Sequence, residues 1–137
     1  MKRTTLLYPF VLALVIAGTV YADQDPTIVF YDKFIEVSSN AKSLDDIKPY
    51  LSSSNLSQMN DISKEDEQMF LEIIKEMRAS MKRKSITSKV EGDKAILTIE
   101  AIGTEDISDI EVTVTLVKES GDWKVESEDF TSSVVVE

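Results

Sequence analysis

Between residues 25 and 84 the apolar positions recur every three or four residues, which is the period of helices with one buried face. Asp25 and Pro26 predict the start of a first helix, because aspartate caps free backbone N–H groups and proline fits the first helical turn. The apolar positions of this helix are Phe30, Tyr31, Phe34, Ile35 and Val37. We predict that this amphipathic helix ends within the polar run at residues 37–43.

Two further helices are predicted before residue 84. Ser43 and Asp46 have the spacing of a capping box at the start of a short helix, and Pro49 limits its length. Residues 52–61, "SSSNLSQMND", are polar and are interpreted as a loop. Ser63 then caps a long helix whose apolar stripe we expect to face the core. That stripe consists of Met69, Phe70, Ile73, Ile74, Met77 and Met81.

Basic residues crowd the C-terminal end of the long helix. They are Arg78, Lys82, Arg83 and Lys84. Because the helix dipole favours cations at this end, we interpret them as stabilising the helix rather than as a binding patch.

After residue 84 the apolar positions recur every second residue, the period of a half-buried strand. Breaks at residues 91–94, 103–108 and 118–122 divide this region into four strands. The residues predicted on the covered face are Ala95, Leu97, Ile99, Ala101, Ile110, Val112, Val114, Leu116, Trp123 and Val125. Those predicted on the opposite, solvated face are Thr98, Glu100, Thr113, Thr115, Glu126 and Glu128. The sequence therefore predicts an α+β fold with N-terminal helices packed on a four-stranded antiparallel sheet.

Residues 1–22 have the pattern of a cleavable secretory signal. Lys2 and Arg3 precede an apolar run at residues 6–20, and Val20 and Ala22 supply the small residues of a cleavage site. An uncleaved anchor is the alternative, but the run is short for a bilayer span of about 20 residues. We expect cleavage after Ala22, which leaves residues 23–137 as one α+β domain, periplasmic or secreted in bacteria and free of the membrane.

The composition narrows the classes of partner. The chain has no cysteine, and 25 acidic against 15 basic residues give a formal net charge of −10. An exported domain without disulfides is typical of the bacterial periplasm. Its acidic surface repels phosphate backbones and anionic lipid headgroups, so we expect neither nucleic acid nor a membrane as a partner.

Three segments resemble a known superfamily. They are "SLDDIKPYLSSSNLSQM" at residues 43–59, "VEGDKAILTIEA" at residues 90–101 and "VTVTLVKESGDWKVES" at residues 112–127. The chain resembles the nuclear-transport-factor-two-like superfamily, a cystatin-like α+β cone, and within it small exported bacterial domains of unknown function or lumazine-binding-like type. Fuller members often have an extra strand between the second and third helices, where this sequence shows a loop.

The resemblance implies helices in the concavity of a bent sheet, with a pocket that often opens between them. Enzymatic members place Asp, Tyr or His on the concave strand face. In this sequence the polar residues in the covered phase are Ser88, Ser127 and Asp129, and the chain has no histidine. Asp129 is therefore the one candidate base, but an aspartate near a strand end is usually solvated, so we favour a domain without catalytic residues.

The candidate ligand-binding residues are Tyr31, Tyr50 and Trp123. We interpret Trp123 chiefly as a packing residue that closes the last hairpin against Phe70, Ile74 or Met77 of the long helix. No metal site is expected, because zinc prefers His and Cys and the acidic clusters lack the spacing of a calcium loop. No cofactor-binding motif is present.

The leading functional expectation is an exported, non-catalytic domain that binds a small apolar ligand or a protein partner, or that forms a homodimer through its sheet. One alternative is an isomerase- or dehydratase-like enzyme with Asp129 as base and Tyr31 or Tyr50 as hydrogen-bond donor. The other is an extracytoplasmic inhibitor or assembly factor that uses the loop at residues 52–61 or the tail at residues 131–137, where three consecutive valines can pair with a partner's strand edge.

Overall fold

A computed structural model of the protein describes residues 25–103 and 107–134. This part of the chain holds three α-helices, namely α1 (Pro26–Asn40), α2 (Ser53–Met59) and α3 (Lys64–Ala79). Two 3₁₀ turns, Leu44–Asp46 and Lys48–Tyr50, lie between α1 and α2. Four strands follow, β1 (Met81–Glu91), β2 (Lys94–Gly103), β3 (Ile107–Glu119) and β4 (Asp122–Val134). The secretory signal expected at residues 1–22 and the valines at 135 and 136 lie outside the described residues.

The four strands form one antiparallel sheet in the order β1-β2-β3-β4. In its centre Leu97 pairs with Ser88 on β1 and with Val114 on β3. The α+β fold with helices N-terminal to the strands is therefore confirmed. Helix α1 crosses the covered face of the sheet and contacts β1, β2 and β4.

The core lies between α1, the following turns and the covered face of the sheet. Its largest aromatic contributions are Tyr31 and Phe34 from α1. The sheet residues expected to be inward are buried in β2 and β3 and at Val125 of β4. The helix caps also form as predicted at two sites, since the Asp25 side chain accepts from the Thr27 N–H and Ser63 accepts from the Asp66 N–H.

Between α1 and α3 the structure departs from the sequence-based expectation. The short helix expected after Ser43 is a pair of 3₁₀ turns, the second containing Pro49, whose ring cannot sit inside an α-helix. The polar run expected to be a loop instead contains α2, because the Ser52 hydroxyl accepts from the Asn55 N–H and caps it. Leu51 then pairs with Val125 as a parallel bridge and covers part of the β4 edge.

Helix α3 buries a different edge of its apolar stripe than expected. Leu71, which lies outside the predicted stripe, is 1% exposed, whereas Met69 is 57% and Ile73 is 56% exposed. Phe70, Ile74 and Met77 are half-buried. Met81 belongs to β1 rather than to the helix. The stripe is wider than the contact that α3 makes, so one side of it faces solvent.

A β-bulge in β4 reverses the side-chain alternation. Leu116 pairs with Val125, but the next β3 position, Thr115, pairs with Ser127, so Glu126 is an extra residue. Beyond the bulge Glu128 pairs with inward Val114, and Asp129 pairs with outward Thr113. The prediction that Asp129 is inward and Glu128 outward was therefore wrong, because one inserted residue exchanges the faces of the strand.

None of the described helices is both long and apolar enough to cross a membrane.

Candidate functional site

A cavity of about 360 Å³ opens between α1, the end of α3 and the covered face of the sheet. All four strands contribute to it. Its lining residues are Tyr31, Asp32, Ile35, Glu36, Arg78, Met81, Arg83, Ile99, Ala101, Val112 and Phe130. The walls are mainly apolar, and a few polar groups lie at defined positions, which is the usual composition of a small-molecule site.

Tyr31 and Arg78 of this lining belong to a polar cluster that continues behind the cavity wall. Arg78 donates from Nη1 to Glu128 Oε2 at 3.0 Å and from Nη2 to Oε1 at 3.2 Å, so the pair is bidentate. The Tyr31 hydroxyl donates to the same Oε2 at 2.5 Å. Arg78 Nε donates to the hydroxyl of Ser38 at 3.3 Å, and the guanidinium lies 5.6 Å from the centre of the Phe34 ring. We call Arg78, Glu128, Tyr31 and Ser38 the polar cluster.

Local sequence explains how these side chains meet. Tyr31, Phe34 and Ser38 are three, four and seven positions apart and therefore lie on one face of α1. Arg78 lies seven positions after Leu71 on α3, so its long side chain leaves the helix on the buried side. Glu128 reaches the covered face only because the bulge at Glu126 shifts the alternation of β4.

The electrostatics of the polar cluster keep Tyr31 protonated and the Arg78–Glu128 pair ionised. Burial, together with the negative charge of Glu128, raises the pKa of the Tyr31 hydroxyl far above its ordinary value. Burial lowers the pKa of Arg78, but the adjacent Glu128 carboxylate outweighs it and the net shift is upward. Only 8% of the Arg78 side chain and 16% of the Glu128 side chain are exposed. The ion pair is thus held away from bulk water.

The exposed part of the lining forms the mouth of the cavity. Arg83 Nη1 donates to Asp32 Oδ1 at 2.7 Å and joins the edge strand β1 to α1. The side chains of this pair are 41% and 46% exposed, so solvent screens the interaction. Phe130, which is 39% exposed, lies on the β4 side of the cavity.

A second depression, of about 450 Å³, is less suited to binding. It is lined by Lys84, Glu100, Ala101, Asp109, Ile110, Glu111, Thr131 and Ser132. Most of these side chains are exposed and carry charge or hydroxyl groups. It therefore lacks the combination found in the first cavity, namely apolar walls and a buried polar group.

The structure separates the three ligand-binding candidates. Tyr31 lines the cavity. Tyr50 does not; it is half-buried and packs against the rings of Phe30 and Phe34 at 6.0 and 6.2 Å between centres. Trp123 lies outside the cavity as well, at the β3–β4 hairpin, where the Lys118 ammonium is 5.2 Å from its ring centre. Trp123 is half-buried rather than mostly buried as expected.

Asp129, the candidate base, is exposed and faces away from the cavity. Sequence reasoning missed two side chains that matter here: Arg78, which lines the cavity, and Glu128, which pairs with Arg78 behind the lining. Arg78 was interpreted only as a dipole-stabilising cation. It falls on the same helical face as Leu71 and Ile74, however, and a charged residue within a buried apolar stripe indicates a candidate functional side chain. Glu128 has no such signal, since alternation cannot reveal an inserted residue.

Within residues 25–103 and 107–134, no three or more acidic side chains are grouped to hold a metal ion. The chain matches no protein-family model and no curated protein. The chemistry of the cavity is therefore the basis for a functional assignment.

Proposed function

We propose that the protein is a non-catalytic binding domain that holds a small, mainly apolar ligand in the cavity between α1 and the sheet. The observation that carries this proposal is the combination of apolar walls with one buried polar cluster. Ile99 and Val112 form the sheet side of the walls, and Arg78 and Tyr31 supply polar groups at one place. Such an arrangement gives binding energy through burial and orientation through a few hydrogen bonds.

The Glu128 carboxylate is already hydrogen-bonded within the protein, which supports binding rather than catalysis. A general base needs a lone pair that can reach the proton of a substrate. Both oxygens of Glu128 accept from Arg78, and one of them also accepts from Tyr31, so three of the roughly four lone-pair positions of the carboxylate are already used. Asp129, the base of the enzymatic alternative, lies on the exposed face.

The charges on the outer face of the sheet disfavour a homodimer formed through that face, so we prefer ligand binding in the cavity as the function. Glu100 lies directly opposite Glu111, and Asp109 and Asp129 are exposed nearby. Two copies meeting there would bring carboxylates of like charge together, which is destabilising.

The export signal and the superfamily resemblance are consistent with this function. Helices that precede an antiparallel sheet and leave a cavity against its covered face support membership of the nuclear-transport-factor-two-like group. We include both export and membership in the proposal. On this account the acidic domain binds its ligand outside the cytoplasm of a bacterial cell.

Substitution of Phe130 with alanine tests the site. Titration of the full chain with 1-octanol, followed by calorimetry, measures the dissociation constant. Removing the Phe130 ring takes apolar contact from the ligand, and a loss of about 1 kcal/mol corresponds to roughly fivefold weaker binding. Ile102→Ala is the matched control, because Ile102 is 42% exposed but lies outside the cavity lining. Equal weakening of octanol binding by both variants would contradict the proposal.

A further inference from the structure

Arg78 keeps hydrogen-bonding capacity beside the cavity. A guanidinium has five N–H groups. Among the described residues, three of them have partners: Nε–H binds Ser38, and one N–H from each of Nη1 and Nη2 binds Glu128. These bonds leave one N–H on each terminal nitrogen, so beside the interaction of Arg78 with Tyr31 at least one N–H is available to a ligand, and Arg78 is part of the cavity lining.

Tyr31 offers the complementary group. Its hydroxyl hydrogen is committed to Glu128, and the oxygen, which also interacts with the Arg78 guanidinium, keeps a lone pair that can accept from a ligand. Burial raises the pKa of this hydroxyl, so it stays protonated and keeps its bond to Glu128. The buried end of the cavity thus presents both donors and an acceptor.

The charges around the cavity are already paired. The positive charge of Arg78 is matched by Glu128, and that of Arg83 by Asp32. Glu36 is the remaining charge in the lining, and its carboxylate contacts Lys33 at 3.4 Å. An ionised ligand entering the buried end would lose its hydration without meeting an unpaired opposite charge, which is costly. A neutral polar group does not carry this cost.

We propose that the cavity selects a neutral amphipathic molecule, with one hydroxyl or amide group bound to Arg78 and Tyr31 and an apolar body lying along Ile99, Val112 and Phe130. This inference rests on the proposed function and adds the chemical class of the ligand. A hydroxyl or amide fits because it both donates and accepts, as the two side chains require. Carboxylates and ammonium ions are disfavoured, because the paired charges offer them no free counter-charge.

A series of octyl compounds tests the inference. The full chain is titrated at neutral pH with 1-octanol, octanamide, octanoate and octylammonium, which share one chain and differ in the polar group. We expect the two neutral compounds to bind at least tenfold more tightly than either ion. Equal affinity for all four, or tighter binding of an ion, would overturn the neutral class while leaving ligand binding intact. Absence of binding by all four would instead contradict the proposed function.

A conservative variant tests the contact with the polar group. Tyr31→Phe removes the acceptor oxygen and keeps the ring, so we expect the affinity for 1-octanol to fall about fivefold or more. Tyr50→Phe is the matched control, because Tyr50 lies outside the cavity lining, and it should leave the affinity unchanged. Unchanged affinity in Tyr31→Phe, with the variant shown to be folded by circular dichroism, would overturn the assigned contact.

Discussion

Arg78 and Glu128 form a bidentate ion pair that joins the last turn of α3 to β4 beneath α1, with nitrogen–oxygen distances of 3.0 and 3.2 Å. Tyr31 of α1 donates to the same carboxylate. Three elements that are distant in sequence therefore share one buried carboxylate. The pair contributes to stability and also shapes the polar end of the cavity.

Arg78→Met should destabilise the protein strongly. The substitution leaves Glu128 as a buried carboxylate without its cation, and breaking a buried pair in this way costs about 3–5 kcal/mol. Arg83→Met is the matched control, since the Arg83–Asp32 pair is exposed and its loss should cost at most about 1 kcal/mol. Urea denaturation of both variants measures the free energies of unfolding. Similar losses in the two variants would show that Arg78 is not paired as described.

Stability should fall at alkaline pH because of Tyr31. In the unfolded chain its hydroxyl ionises near pH 10. In the folded protein, burial and then the charge of Glu128 raise its pKa, so the folded state keeps a proton that the unfolded state releases. The stabilisation is complete below about pH 10 and is lost as the pH rises further.

Denaturation at several pH values between about 9 and 11 measures this dependence. Tyr31→Phe is the control, and we expect a shallower loss of stability with rising pH in this variant than in the parent. Identical pH profiles would contradict the assigned environment of the hydroxyl.

Glu126 and Asp129 should differ in their effect on stability, although both are carboxylates of β4. Glu126 accepts from the hydroxyl of fully buried Ser52. Glu126→Ala removes that acceptor and should cost about 1–3 kcal/mol. Asp129→Ala should stay within about 0.5 kcal/mol of the parent, because Asp129 is exposed. A larger loss in Asp129→Ala than in Glu126→Ala would contradict the position of the bulge.

Leu71 and Ile73 test which edge of α3 is packed. Leu71→Ala should cost about 2–5 kcal/mol, the usual range for emptying a buried leucine site. Ile73→Ala should cost less than about 1 kcal/mol, because more than half of Ile73 is exposed. Thermal and chemical denaturation provide the comparison. A larger loss in Ile73→Ala than in Leu71→Ala would contradict this packing and support the one expected from the apolar stripe alone.

The sequence was sufficient to predict the class of fold, because a change of apolar period from helical to alternating marks where the helices end and the strands begin. It also identified the covered face of β2 and β3, since no insertion interrupts their alternation. Beyond Val125 the prediction failed at Glu126, where one extra residue exchanges the two faces of the strand. Tyr31 was identified because it lies on the buried face of α1.

The packing of α3 could not be predicted for a different reason. Its apolar stripe spans more of the helix than its neighbours cover, and periodicity gives the direction of the stripe but not which edge of it is contacted. Leu71 and Arg78 share the contacted edge, so the error about Leu71 also hid Arg78. Pairing between side chains 50 positions apart, as in Arg78 and Glu128, is a property of the assembled fold.

The most direct test of the central claim is to locate the bound ligand on the protein. Carbon–proton correlation spectra of methyl groups, recorded on the full chain with and without 1-octanol, report this location. We expect shifts at Ile35, Ile99 and Val112, which line the cavity, and unchanged signals at Met69 and Ile73 on the exposed side of α3. Shifts at Met69 and Ile73 with none at Ile99 or Val112 would contradict this claim, because the ligand would then lie on the helix surface and not in the cavity.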